Sequence, residues 1–299
     1  MIPFWPRRSP HFLACRRATR PWTRPAIIGL SGGPDSLALV AAAAAEELPV
    51  EAVVVDHGLQ PDSAEIARSA AAQARELGVS TRITRVSVAP GNVEAQAREA
   101  RYQALHDIAD GRDIWVGHTA DDQAETLLLG LLRGNPTGMP PRNGQVVRPF
   151  LDLRRADTVA ACAELGLSPW QDPMNNDAAY RRVRIRNEVL PLLGDVLGGD
   201  VVDPLAHAAG RIVADQDYFG ARVSSTSDCA ELAAMHPAVR NRSIVAWLNG
   251  LGVGASGSSI SGIAALCTDW HGQGPVHVGG GIVVVRRAGQ LVAEPEPER

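Results

Sequence analysis

The chain has 299 residues, 45% of them hydrophobic, and a net charge of −4. No apolar run approaches the roughly 18 residues of a membrane span, and the acidic balance excludes a globally basic nucleic-acid binder. All 29 basic residues are arginine, which rules out a Walker A lysine, a Schiff-base lysine and a pyridoxal-phosphate anchor; phosphate chemistry has to rest on backbone N–H groups, arginine and metal.

Residues 1–24 carry Arg7, Arg8, Arg16, Arg17, Arg20 and Arg24 without an apolar h-region, so they read as a basic extension and not a secretory signal. Whether that extension is ordered is left open. From Pro25 onward short apolar runs alternate with helical patterns, which predicts a parallel α/β sheet. Strands are expected at Ala26–Leu30, at Val50–Val55 running into Asp56, at Ile83–Val88, at Ile114–Gly117 and at Val146–Phe150. Helices are expected at Leu37–Leu48, at Ser63–Leu77 behind Asp62, from Asn92 to Ala109, at Asp121–Arg133 and at Arg155–Leu165. Gly134 to Gly144 reads as a loop. Leu190-Pro-Leu-Leu-Gly-Asp and the Gly198-Gly199 pair suggest a boundary, giving a nucleotide domain over 25–198 and a smaller, mainly helical domain over 199–299. The latter is expected to hold helices at Pro204–Arg222, Pro237–Leu251 and Ser258–Cys267, then short strands from Val276 to Val292. Cys15, Cys162, Cys229 and Cys267 stand singly, without a CxxC pair or a zinc set, and read as reduced thiols of a cytoplasmic protein.

Ser31-Gly-Gly-Pro-Asp-Ser36 falls where the first strand ends and the first helix of the sheet begins, the edge at which parallel sheets bind ligands. Gly32 and Gly33 let the backbone approach a polyphosphate, Pro34 suits the first helical turn, and the N-terminal amides with Ser31 and Ser36 supply donors. A carboxylate among phosphates repels them unless a divalent cation intervenes, so Asp35 implies Mg²⁺. The string resembles the loop of the PP-loop ATPases, the adenine nucleotide alpha-hydrolase-like superfamily. That resemblance implies cleavage of ATP between its α- and β-phosphates through an adenylated intermediate.

Four further motifs narrow the substrate. Asp56-His57-Gly58-Leu59 ends the second strand at the same edge, where Asp56 and His57 could meet the nucleotide or form only a turn. Gly117-His118-Thr-Ala-Asp121-Asp122-Gln-Ala-Glu125-Thr opens a helix there; Asp121 with Glu125 and Asp122 with Glu125 share a face, a carboxylate set suited to a metal or a cationic substrate. Glu94 to Tyr102 sets Arg98 and Arg101 on one helical face. Trp170-Gln-Asp-Pro-Met-Asn-Asn-Asp177 precedes Arg181, Arg182, Arg184 and Arg186, a cluster that reads either as solvated surface or as a phosphate grip.

Taken in chain order, these motifs resemble the tRNA(Ile)-lysidine synthetase family. The resemblance implies a PP-loop domain with a smaller helical domain, and ATP-dependent ligation of free L-lysine to C2 of the wobble cytidine of tRNA(Ile) with a CAU anticodon. It implies ATP binding at Ser31 to Ser36, Asp56 and His57; catalysis at Asp35, Arg98, Arg101, His118, Asp121, Asp122 and Glu125; Mg²⁺ at Asp35 and Asp121; and tRNA contacts at Arg181, Arg182, Arg184 and Arg186. A tRNA thiolase of the same superfamily would need cysteines near the sheet edge. No membrane partner is expected, and a homodimer stays open.

Overall fold

The computed structural model describes residues 5–6, 8–58, 62–87, 93–177 and 179–296. Leu59 and the Asn92 helix cap therefore lie outside the described residues. The described chain divides into two units, 1–210 and 211–299.

The first unit is built on a six-stranded sheet of order β3-β2-β1-β4-β6-β5. Its strands are β1 (Ala26–Gly29), β2 (Val50–Asp56), β3 (Ser80–Arg85), β4 (Asp113–Trp115), β5 (Arg142–Asn143) and β6 (Val146–Val147). All pair in parallel except β5 with β6. Successive strand residues face opposite ways, so one sequence feeds two cores. Ile27, Val53, Ile114 and Val146 pack with Leu105 and Ala109 of α4 (Val93–Ala109). Ile28, Ala52, Val54, Trp115 and Val147 belong to the opposite core, shared with α1 (Pro10–Thr19), α2 (Pro34–Ala45), α3 (Ser63–Glu76) and α6 (Arg155–Glu164). The alanine-rich α2 lies close to the sheet because its side chains are short, and the eight residues from Ser36 to Ala43 are all buried.

Several expectations shift. The basic extension contains α1, whose Phe12, Cys15 and Thr19 are buried; Arg16 and Arg20 grip Glu46 at 2.6 and 2.9 Å. Those two arginines hold the fold and not a polyanion. β3 begins three residues early, because its register with β2 pairs Glu51 with Ser80 while its mostly exposed side chains give hydrophobicity little to mark. β6 stops at Val147 since Pro149 cannot donate to a ladder. Of the segment expected to be a boundary, the 190–195 stretch is helical, following α7 (Arg181–Arg184) and a π-helical turn (Ile185–Val189) into α8 (Leu190–Leu197), whereas Gly198 ends that helix in the left-handed region. The wide turn sits just before Pro191, whose missing N–H breaks the α pattern.

The division between units falls at Gly210, inside α9 (Val202–Gly220), and not near residue 198. Val202, Leu205 and Ala206 from the start of α9 pack with Ala120 and Ala124 of α5 (Ala120–Leu131) and with Ile185 and Leu190, so this part of the helix belongs to the first unit. The second unit holds α10 (Cys229–Ala234), α11 (Pro237–Gly250), α12 (Gly257–Thr268) and an antiparallel sheet of β7 (Val276–His277), β8 (Ile282–Arg287) and β9 (Gln290–Pro295). Leu232, Ile244, Ile263, Val284 and Leu291 form its core. All four cysteines are free and buried. Among the described residues no helix is long and apolar enough to cross a membrane.

Candidate active site

At the carboxyl end of β1 the chain turns through Gly32, at φ 86°, into α2. The loop is closed on itself: Ser36 Oγ donates to the Gly33 carbonyl at 3.0 Å and accepts from Ser31 N–H at 3.2 Å. Trp170 N–H holds the Gly32 carbonyl at 2.9 Å. The end of β4 comes so near that a Cβ on Gly117 would lie 2.9 Å from the Asp35 carbonyl carbon. Glycine at 117 is therefore a packing requirement of the loop.

These elements enclose a cavity of about 490 Å³. Ser31, Asp35, Ser36, Asp56, His57, Arg98, Arg101, His118 and Asp122 all line it, with Ile66, Ala67, Trp170 and Met174 as apolar wall. Of the expected carboxylates, Asp121 and Glu125 stand outside the lining. Asp121 Oδ2 accepts from the backbone N–H of Arg155 at 2.7 Å and from Arg154 Nε at 3.4 Å. Glu125 is fully buried, with one oxygen shared by Arg186 Nε at 2.8 Å and Arg155 Nη1 at 3.3 Å.

The charge balance of the cavity is uneven. Arg101 has no carboxylate partner among the described residues; burial, opposed by Tyr102 and reinforced by Arg98, lowers its pKa. Burial also holds His118 down to about 3 and lowers His57, so both imidazoles are neutral; each has an unpartnered Nδ1. Uncompensated guanidinium beside a glycine-rich helix N-terminus is a setting for an anion. On the acidic side, burial lifts the Asp35 carboxyl to about 6 despite a hydrogen bond from Thr158 and the nearby Arg155. Burial pushes Asp122 the same way, but Arg155 and two bonds from Thr119 outweigh it. Asp56 Oδ1 caps its own turn through Gly58 N–H at 2.9 Å, a structural task compatible with its place in the lining.

Asp35 fits a magnesium ion that keeps several waters and takes its remaining oxygens from phosphate. Asp121 lies outside the cavity lining and its Oδ2 is taken up by Arg154 and Arg155, so it is less well placed than Asp35 to meet the same ion. In the arginine-rich helix, Arg181 is exposed and Arg184 pairs with Glu188 at 2.9 Å on the surface, whereas Arg182 turns to Thr126 and Arg186 to Glu125. Arg155 and Thr158, which meet Asp35, are absent from the sequence-derived set. Their one sequence signal was Arg154-Arg155 at a helix N-terminus, where positive charge is unfavourable without acidic partners.

A PP-loop domain family model matches residues 15–193, and the TilS substrate binding domain matches residues 228–292. A U34-tRNA thiolase structure from Methanococcus maripaludis, with a [4Fe-4S] cluster, aligns with a TM-score of 0.56 at 14% identity, covering 72% of this chain and 80% of its own, and shares the fold. With its loop, parallel sheet and cavity, the chain is a PP-loop ATP-binding enzyme. The tRNA(Ile)-lysidine synthase of Corynebacterium glutamicum is 48% identical over 302 residues, 96% of both chains. That of Corynebacterium diphtheriae is 51% identical over 293 residues, 97% of this chain and 99% of its own. The chain belongs to the tRNA(Ile)-lysidine synthase family.

Proposed function

We propose that the enzyme ligates free L-lysine to C2 of the wobble cytidine of tRNA(Ile) with a CAU anticodon, at the expense of ATP, in the cytoplasm. Family membership supports this reading of the substrates. The observation that carries the chemistry is the juxtaposition, in one cavity, of Ser31, Asp35 and Ser36 of the loop with Arg98 and Arg101. Cytosine O2 attacks the α-phosphorus, the bond to the bridging oxygen breaks and pyrophosphate leaves. The ε-amine of lysine then attacks C2, the C2–O2 bond breaks, and AMP departs with that oxygen while the amine loses a proton.

The loop amides and hydroxyls hold the phosphates, and Arg98 with Arg101 stabilises charge gathering on the α-phosphoryl oxygens. Mg²⁺, when bound at Asp35, neutralises phosphate charge. His118 is neutral and offers a hydrogen-bonding nitrogen to the cytosine. Asp122 gives the lysine amine an acidic neighbour. Glu125 and Asp121 act behind these groups by holding Arg154 and Arg155. Arg181 and Arg184, on the surface, suit tRNA phosphates better than Arg182 and Arg186.

The test is incubation with ATP, Mg²⁺ and labelled lysine, with either tRNA(Ile) bearing CAU or bulk tRNA lacking it. Label in the first RNA alone is expected. AMP release without label in RNA would refute the lysine acceptor, and absence of AMP in every arm would refute adenylation.

A further inference from the structure

Arg155 opens α6 beside Asp35, Asp122 and Glu125, three carboxylates from two other helices. Its Nη2 donates to Asp122 Oδ1 at 2.8 Å and its Nη1 to Glu125 Oε1 at 3.3 Å, while its Nε stands 3.8 Å from Asp35 Oδ2. Its backbone N–H fixes Asp121 at 2.7 Å. Two features make this more than a surface ion pair. Glu125 has no exposed side-chain area and its second oxygen has no partner among the described residues, of which Arg155 and Arg186 are the ones that compensate its charge. The grip is also graded: tight on Asp122, which already accepts two bonds from Thr119, and loose on Asp35, which lines the cavity.

We propose that Arg155 is a positioning residue that serves as the internal counter-cation of the site. It holds Asp122 and Glu125 permanently and Asp35 only until a divalent cation arrives with the nucleotide. A planar guanidinium suits this task because its fork can serve two fixed carboxylates while its Nε faces a third. The arriving ion competes with that Nε for Asp35 alone, so α6 does not need to move. The inference rests on Asp35 as the magnesium ligand.

Mg²⁺ alone is titrated calorimetrically at pH 8 into the full chain and its Arg155→Met, Arg155→Lys and Asp35→Asn variants, each checked for native circular dichroism. Without the internal cation, Arg155→Met is expected to bind Mg²⁺ at least about 10-fold more tightly than wild type while AMP formation falls at least about 100-fold. Arg155→Lys keeps the charge but not the fork, and is expected to recover wild-type Mg²⁺ affinity within about 3-fold and only part of the turnover. Unchanged or weaker Mg²⁺ binding in a folded Arg155→Met would overturn the proposal; should that variant not fold, Mg²⁺ binding by Arg155→Lys more than about 10-fold tighter than wild type would do so. Asp35→Asn separates the two readings: wild-type Mg²⁺ binding in it overturns the magnesium assignment, and the proposal with it. Lost binding there with no tightening in Arg155→Met overturns the counter-cation role alone.

Discussion

Asp35 carries a cost that its partners do not cancel. Burial raises its carboxyl from 3.8 to about 6, so the folded chain holds this proton more firmly than the unfolded chain. Its contribution to stability is complete below about pH 4, declines as the pH rises toward 6 and is lost above that. Replacing it by Asn should therefore raise the stability of the ligand-free protein at pH 7.5 by about 1–2 kcal/mol, relative to wild type, and by much less at pH 4. Urea unfolding at the two pH values checks this; a variant less stable than wild type at pH 7.5 contradicts it. The cysteines give a second residue-scale prediction. Burial pushes the thiols of Cys15, Cys162 and Cys267 up to about 12, and Cys229 is fully buried. An aromatic disulfide reagent at pH 8 should find no reactive thiol in the native protein and all four after denaturation; rapid native labelling would contradict this.

Residues that act through the backbone trace were legible in the sequence, whereas those that act through long-range pairing were not. Ser31 to Ser36 announces itself because a strand, two glycines and a helix start are all local. Arg155 reaches Asp35 across 120 positions, and nothing in the spacing of either motif reveals that contact. The expected carboxylate face at Asp121, Asp122 and Glu125 was correct as a helix face. Only the structure shows that Asp122 of the three lines the cavity, and that all three carboxylates are met by arginines.

At the scale of elements, short apolar runs told strands from helices, and the parallel core strands came out close to their observed bounds. Failures occurred where one principle overrode another: Pro149 ended β6 early, and the exposed β3 had little hydrophobic signal to read. The proline and glycine near 190–199 suggested a boundary, yet a π turn carries the helix past Pro191. α1 was hidden by its arginines, whose charges are met by Glu46. Its packing makes it integral, so Phe12→Ala should lower stability by about 3–5 kcal/mol, read from the unfolding midpoint. A loss below about 1 kcal/mol would mean that α1 is peripheral. Gly117→Ala tests the approach of β4 to the loop. The added methyl meets backbone at Asp35, so a loss of about 1–3 kcal/mol and a raised KM for ATP are expected; unchanged values of both would refute the packing argument.

For the whole molecule, the sequence conveyed a nucleotide-binding unit followed by a smaller, more helical one. It placed the division too early because the apolar residues at the start of α9 serve the first unit. The second unit offered only helix periodicity and turn glycines, with no motif to fix its topology. The central claim is that this PP-loop enzyme adenylates a cytosine and exchanges the adenylate for lysine. It is tested most directly by the mass of the nucleoside at position 34 of tRNA(Ile) after incubation with enzyme, ATP, Mg²⁺ and lysine. The account predicts cytidine plus lysine less one water, formed with one AMP per nucleoside modified; unmodified cytidine, despite a folded enzyme that binds ATP, would contradict it.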